Sequence, residues 1–310
     1  SGIEKLKCTP NELDLLVAEG VSDIFLAYPL LAPLADRVAR IAKESPQTTI
    51  RVQVAHPEHV AILERAAERH GVVLPSLIDL DVGNHRTGLP LARLEALLGS
   101  IRELSPRHVR IEGIHGYDGH NHSPDAGVRA EVARDAMAEV ARAVDLLRRS
   151  GVACERVVVA GTPAWREDLR ELLRIGLDVA VELSPGTFVF HDSKYEGILP
   201  GEFRFAALVF ARVMDLPGDD RITLDLGHKR WAMDQGPIET TDVPGLEFIS
   251  ASEEHTVFRR GPDAPALRIG DPVWLVPRHV CPTVNLWDSY TFVREDGSIE
   301  ENVAVDARNR

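Results

Sequence analysis

The chain has 310 residues, which at roughly 150 residues per domain suggests two domains. Its 35 basic and 48 acidic residues give a net charge of −13, which argues against nucleic acid or an anionic membrane as main partner, since both need a basic surface. An apolar content of 44% fits a folded globular chain, and apolar stretches such as Phe205–Ala211 are far too short to span a bilayer.

The chain opens at Ser1-Gly2, and Ile3–Cys8 already reads as a strand. A helix over 10–19 follows, with Leu13, Leu16 and Val17 at helical spacing, Thr9 as N-cap and Gly20 as stop. Strands are then predicted at Asp23–Tyr28, Thr49–Val54, Ser76–Val82, Val109–Ile114, Arg156–Ala160 and Leu177–Leu183. Helices fall between them near 32–44, 58–70, 90–103, 126–150 and 164–174. Such alternation implies a parallel sheet covered by helices, either an open doubly wound sheet or a (β/α)8 barrel. Seven units are one short of the barrel's eight. After about residue 200 the texture changes to short β-branched or aromatic segments between Pro, Gly and Asp turns: 203–213, 221–226, 246–250, 256–260, 272–277, 289–294 and 299–305. With no helical period there, the expected organisation is an α/β barrel domain over 1–200 and a mostly antiparallel β domain over 201–310. Cys8, Cys154 and Cys281 make no disulfide framework and no signal-peptide pattern opens the chain, so a reducing cytoplasm is the expected location.

Polar groups gather just beyond the strand ends, where sites form in parallel α/β folds. Asp81–Gly88 sets Arg86 between glycines, fit for an anionic oxygen or simply a surface turn. The stretch from His115 to His122 carries three His, Tyr117 and Asp118 among glycines, fit for metal binding, proton transfer or a polar turn. Gly161-Thr162 before a helix, and Gly186-Thr187 after the next strand, offer backbone N–H groups to a phosphate, although such turns are common without one. In the β domain, His279 and Cys281 lie two apart. On a strand they would share a face and could grip one ion, with a position left open for substrate. A buried Cys beside an unrelated His remains the plain alternative.

Taken together, Asp-Val-Gly-Asn-His-Arg-Thr-Gly (81–88), Gly-Tyr-Asp-Gly-His (116–120), Ala-Gly-Thr-Pro (160–163), Glu-Leu-Ser-Pro-Gly-Thr-Phe-Val-Phe-His-Asp (182–192), Glu-Glu-His (253–255) and His-Val-Cys-Pro-Thr-Val-Asn-Leu (279–286) resemble the D-threonine aldolase / D-serine dehydratase family. The resemblance runs in order over nearly the whole chain. It implies the alanine-racemase fold, a (β/α)8 (TIM-like) barrel followed by a β domain, and pyridoxal 5'-phosphate as cofactor. It further implies that Tyr117 stacks on the cofactor ring, that Arg86 lies near its phenolic oxygen, and that Gly161, Thr162, Gly186 and Thr187 hold its phosphate. His279 and Cys281 would ligate Zn2+ or another divalent metal such as Mn2+.

The His-x-Cys form is the dehydratases', so the resemblance implies a D-3-hydroxy amino acid dehydratase, acting on D-serine or D-3-hydroxyaspartate to give a keto acid and ammonia. Alternatives are aldolase cleavage to glycine and an aldehyde, racemisation, a non-catalytic pyridoxal-phosphate binder, and a cofactor-free zinc hydrolase built on His115, Asp118, His120 and His122. A homodimer acting on a small D-amino acid is the expected assembly. In the family the cofactor's lysine sits on a first barrel strand, and none of Lys5, Lys7, Lys43, Lys194 and Lys229 lies in that context. The expectation is therefore a barrel seen without its first βα unit.

Overall fold

The computed structural model describes residues 5–308, and the chain divides after Pro185 into two units. The first alternates strands β1 (Lys5–Cys8), β2 (Asp23–Leu26), β3 (Thr49–Val54), β4 (Leu74–Asp79), β5 (Val109–Gly116), β6 (Arg156–Val159) and β7 (Ala180–Leu183) with helices α1 (Leu13–Ala18), α2 (Ala32–Glu44), α3 (Pro57–His70), α4 (Leu94–Leu104), α5 (Ala126–Arg149) and α6 (Trp165–Ile175). Ile3 and Glu4 of the predicted first strand lie outside the described residues.

The seven strands pair in parallel and in strict chain order from β1 to β7. A doubly wound sheet would reverse its order at a switch point. Here the sheet curls instead, until side chains of its two edges meet. Lys5 Nζ lies 2.6 Å from Glu182 Oε1, and Lys7 Nζ lies 2.7 Å from Ser184 Oγ just beyond β7. This is the barrel alternative, with the sheet and helix pattern of the alanine-racemase fold.

Helices stop where the local chemistry stops them. The His56 ring accepts the Glu58 N–H at the start of α3, and Gly71, at φ +64°, ends that helix in the left-handed region. One face of α3 buries Val60, Leu63, Ala66 and Ala67, and each fully buried Val or Leu contributes about 1.5–3 kcal/mol. β3 and β4 are buried almost throughout, because helices cover one face and the barrel interior the other. Gly113 is obligatory, since a Cβ there would fall 1.9 Å from the Arg156 carbonyl oxygen.

Inside the barrel, Phe25, Leu77 and Val158 form a thin apolar layer. Toward the strand N-termini the lining is ionic. Arg51 pairs with both Asp23 and Glu112, Glu112 also with Arg110, and Arg156 Nη1 lies 2.6 Å from Glu182 Oε1. Lys5 closes this chain of charges on Glu182. Toward the strand C-termini the lining is polar again and carries the candidate site.

The second unit holds a six-stranded antiparallel sheet of β8 (Val209–Asp215), β9 (Arg221–Leu224), β10 (Glu239–Thr240), β11 (Leu246–Ala251), β12 (Thr256–Arg260) and β13 (Pro272–Val276), in the order β10-β13-β8-β9-β12-β11. A hairpin of β14 (Ser289–Val293) and β15 (Ile299–Ala304) stands apart from it. Trp231 is fully buried in this core, edge-on to Phe248, with Nε1–H donating to Thr256 Oγ1. The unit is not free of helices. α7 (Ser193–Glu196) and α8 (Val280–Asn285) interrupt it, so the strand expected at 279–281 is corrected to a helix start. Pro282 explains this: it has no N–H for a ladder but sits in a first helical turn without loss.

The ionic lining makes a stability prediction. Removing one partner of a buried pair strands the other charges, so Arg51→Ala should lose about 3–5 kcal/mol of barrel stability in urea denaturation. A loss below about 1 kcal/mol would show the lining to be incidental.

Candidate active site

β4 delivers Asp79 to the barrel mouth, and this buried carboxylate organises its surroundings. Oδ2 accepts from Thr87 Oγ1 at 2.8 Å and from Gln53 Nε2 at 3.1 Å, and Oδ1 meets His115 Nδ1 at 2.8 Å. Burial pushes the His115 pKa down more than Asp79 raises it, so the ring is neutral and donates from Nδ1. His115 Nε2 is left buried without a hydrogen-bond partner.

Tyr117 follows on the same segment. Its ring lies so close to Gly119 and Gly161 that a Cβ would fall 2.3 Å away at the first and 3.3 Å at the second. Two cations approach the ring: Lys7 Nζ at 4.7 Å from its centre and the Arg86 guanidinium at 5.3 Å. Burial first, and Arg86 second, push the Lys7 pKa down to about 8, while Asp79 and Asp118 oppose the fall. Arg86 is presented by a loop that Asp81 shapes, accepting from the Gly83 and His85 N–H groups at 3.1 and 2.9 Å. Gly161 and Thr162 leave β6 through Ala160, a non-glycine residue at φ +70°, and lead into α6. Strained backbone of this kind costs of order 1–3 kcal/mol and clusters at functional sites. Arg86, Tyr117, Gly161 and Thr162 are thus brought together within the first unit.

Behind Tyr117, Asp118 faces Asp168 of α6, and all four carboxyl oxygens are buried without a conventional hydrogen-bond partner. A shared proton resolves this. Burial first, and the Asp118 charge second, push Asp168 up to about 9, and burial also raises Asp118. The pair ties the Tyr117 loop to the helix that follows the Gly161–Thr162 turn.

In the second unit, Gly186 precedes a 3-10 turn over Thr187–Val189, with the Val189 N–H donating to the Gly186 carbonyl at 3.3 Å. His279 is the extended residue ahead of α8, and Cys281 lies in its first turn. Cys281 lies close enough to act on the His279 imidazole, so the two side chains do converge, although on a helix start instead of a strand. His279 Nδ1 also lies 2.6 Å from Asp234 Oδ2. These contacts, Cys281 first, push the His279 pKa up to about 9. Imidazole and thiol together suit a borderline-soft divalent ion. Among the described residues no set of three or more His, Cys, Asp or Glu side chains is arranged to hold a metal. No helix among them is long and apolar enough to cross a membrane.

Gln53, Asp79, Asp168 and Asp234 were not singled out by sequence reasoning. A polar residue at an inner position of an apolar strand, as at 53 and 79, is a signal that could have found two of them.

Comparison with known proteins agrees with this geometry. The family described as "Alanine racemase, N-terminal domain" matches residues 27–182, and that described as "Putative serine dehydratase domain" matches 206–293. A D-threonine aldolase of Arthrobacter sp. is 33% identical over 301 residues, covering 94% of this chain and 76% of its own length. The crystal structure of D-threonine aldolase from Filomicrobium marinum superposes with a TM-score of 0.88 at 26% identity, over 99% of this chain and 82% of that one. D-threo-3-hydroxyaspartate dehydratase from Delftia sp. shares the fold, with a TM-score of 0.81 at 19% identity over 98% of this chain and 90% of that one, as does its cysteine-to-alanine variant in the metal-free form.

The carboxyl pair sets a pH dependence. An unfolded Asp168 titrates near 3.8, and the folded chain holds the proton up to about 9. Stability is therefore at its full value below the unfolded pKa, falls as pH rises, and levels off above about 9. Asp168→Asn should flatten the melting temperature between about pH 5 and 9 and raise it at the alkaline end. A parent and variant that melt in parallel across that range would contradict the shared proton.

Proposed function

The chain belongs to the D-threonine aldolase / D-serine dehydratase family, lyases of the alanine-racemase fold, and from that premise we propose that it acts on D-3-hydroxy amino acids with pyridoxal phosphate and a divalent metal. The observation that carries the metal-dependent reading is the His279–Cys281 pair at the head of α8, an imidazole and a thiol close enough to act on each other. A D-threo-3-hydroxyaspartate dehydratase that is 24% identical over 317 residues supports elimination as the reaction.

The residues of the barrel mouth fit the cofactor. A flat ring (Tyr117), two cations beside it, a buried imidazole nitrogen without a partner and a glycine at close approach suit a planar, anionic, phosphate-bearing molecule. In this reading Tyr117 would lie against its ring, Arg86 would face its phenolic oxygen, and the turn at Gly161 and Thr162 would hold its phosphate. When bound, pyridoxal phosphate acidifies the substrate Cα–H and takes up the charge that is left. A divalent metal on His279 and Cys281 supplies Lewis acidity, which hydroxide needs in order to leave. The chain's own groups do the rest. Neutral His115 is held in one orientation by Asp79. Lys7 Nζ, with its pKa near 8, can take and return a proton close to neutral pH. The net change is a D-3-hydroxy amino acid to a keto acid and ammonia. Zn2+ suits the imidazole–thiol pair better than the harder Mn2+, and a cytoplasmic homodimer is part of the same reading.

Aldol cleavage is the second reading, favoured by the 33% identity to a D-threonine aldolase. Incubation with D-serine, D-threo-3-hydroxyaspartate and D-threonine separates the two: keto acid and ammonia from elimination, glycine and an aldehyde from cleavage. The expected products are keto acid and ammonia, and glycine with aldehyde would transfer the chain to the second reading. Cys281→Ala should abolish metal-dependent turnover, whereas full activity of the parent after exhaustive chelation would reject the metal's role.

A further inference from the structure

The Asp234 carboxylate stands directly behind the His279 imidazole. Asp234 Oδ2 lies 2.6 Å from His279 Nδ1. A histidine can bind a metal through only one lone pair, and the hydrogen bond at its other nitrogen decides which one and in what orientation. With Nδ1 engaged by Asp234, Nε2 is the atom left for an ion.

The loop that carries Asp234 is fastened on several sides. Trp231, three residues before, is fully buried. The Ala232 N–H donates to Thr283 Oγ1 at 3.1 Å, and that hydroxyl donates to the His279 carbonyl at 2.8 Å. Arg278 Nε–H donates to the Gln235 carbonyl at 3.1 Å, and Arg278 Nη1 reaches Glu239 Oε1 at 2.9 Å. Gly236, at φ +119°, lets Arg278 cross the loop, where a Cβ would fall 2.9 Å from its side chain. On the other flank the Val280 N–H donates to Asp192 Oδ2 at 3.1 Å. Two segments some 45 residues apart in sequence are thus held in fixed register, and the Asp234–His279 bond joins them.

We propose that Asp234 is the positioning residue of the metal centre: it accepts the Nδ1 proton of His279 and so presents Nε2, together with Cys281 Sγ, to a divalent ion without itself being a ligand. The proposal rests on His279 and Cys281 binding that ion, as argued above.

Titration of the full chain with Co2+, followed by calorimetry and by its optical spectrum, tests both steps. The parent should bind one ion with a thiolate-to-cobalt band, and His279→Ala should bind none. Asp234→Ala should bind about 10–100-fold more weakly, with the same spectrum at saturation and an unchanged melting temperature in chelator. Asp234→Asn, which keeps an acceptor of the same shape, should recover part of the loss, and it serves alone should the alanine variant fail to fold. A parent that binds no Co2+ would overturn the metal reading itself. Parent-like affinity in both Asp234 variants would overturn only the positioning role, as would a spectrum altered at saturation, which would make Asp234 a ligand.

Discussion

Charge buried inside a barrel must be paired, and that constraint shapes the first unit from floor to mouth. The floor satisfies it outright, through the run from Lys5 and Glu182 by way of Arg156 and Asp23 to Arg51 and Glu112. The mouth satisfies it only in part. Asp79 is fully engaged by three side chains, but Arg86 and Lys7 both crowd the Tyr117 ring, and Arg86 makes the charge on Lys7 less favourable. Surplus positive charge around an aromatic face is what a planar anion would neutralise. The neutral His115 and the proton shared by Asp118 and Asp168 are further answers to the same burial, met by giving up charge instead of pairing it.

The second unit solves a different problem. Its core is apolar and ordinary, with Trp231, Phe248 and Phe258 packed edge to face. His279 and Cys281 lie at one corner, where a loop and a helix start are pinned together by Thr283, Arg278 and Asp192. A site precise enough for an ion needs this kind of support, because ligands on unsupported loops wander.

Much of this was readable in the sequence, and what was not follows a pattern. The barrel strands followed from alternation, yet β4 ends at Asp79, before the predicted Val82, because Asp81 folds the next residues into a turn by binding the Gly83 and His85 N–H groups. The first helix runs only from Leu13 to Ala18, shorter than its apolar spacing suggested. The pairing of His279 with Cys281 was legible from their spacing, but the wrong element was assigned to them; Pro282 was the overlooked signal. Asp168 and Asp234 act across 50 and 45 residues, on Asp118 and His279 respectively, and no local pattern records such contacts. Lys7 looked like an alternating strand residue, and only the folded barrel turns it inward against Tyr117 and Ser184.

The account stands or falls on where a divalent ion goes. Crystals grown with zinc and measured at its absorption edge should show one anomalous peak within about 2.0–2.4 Å of a His279 ring nitrogen and Cys281 Sγ. A peak among His115, His120 and His122, with none at the head of α8, would contradict it.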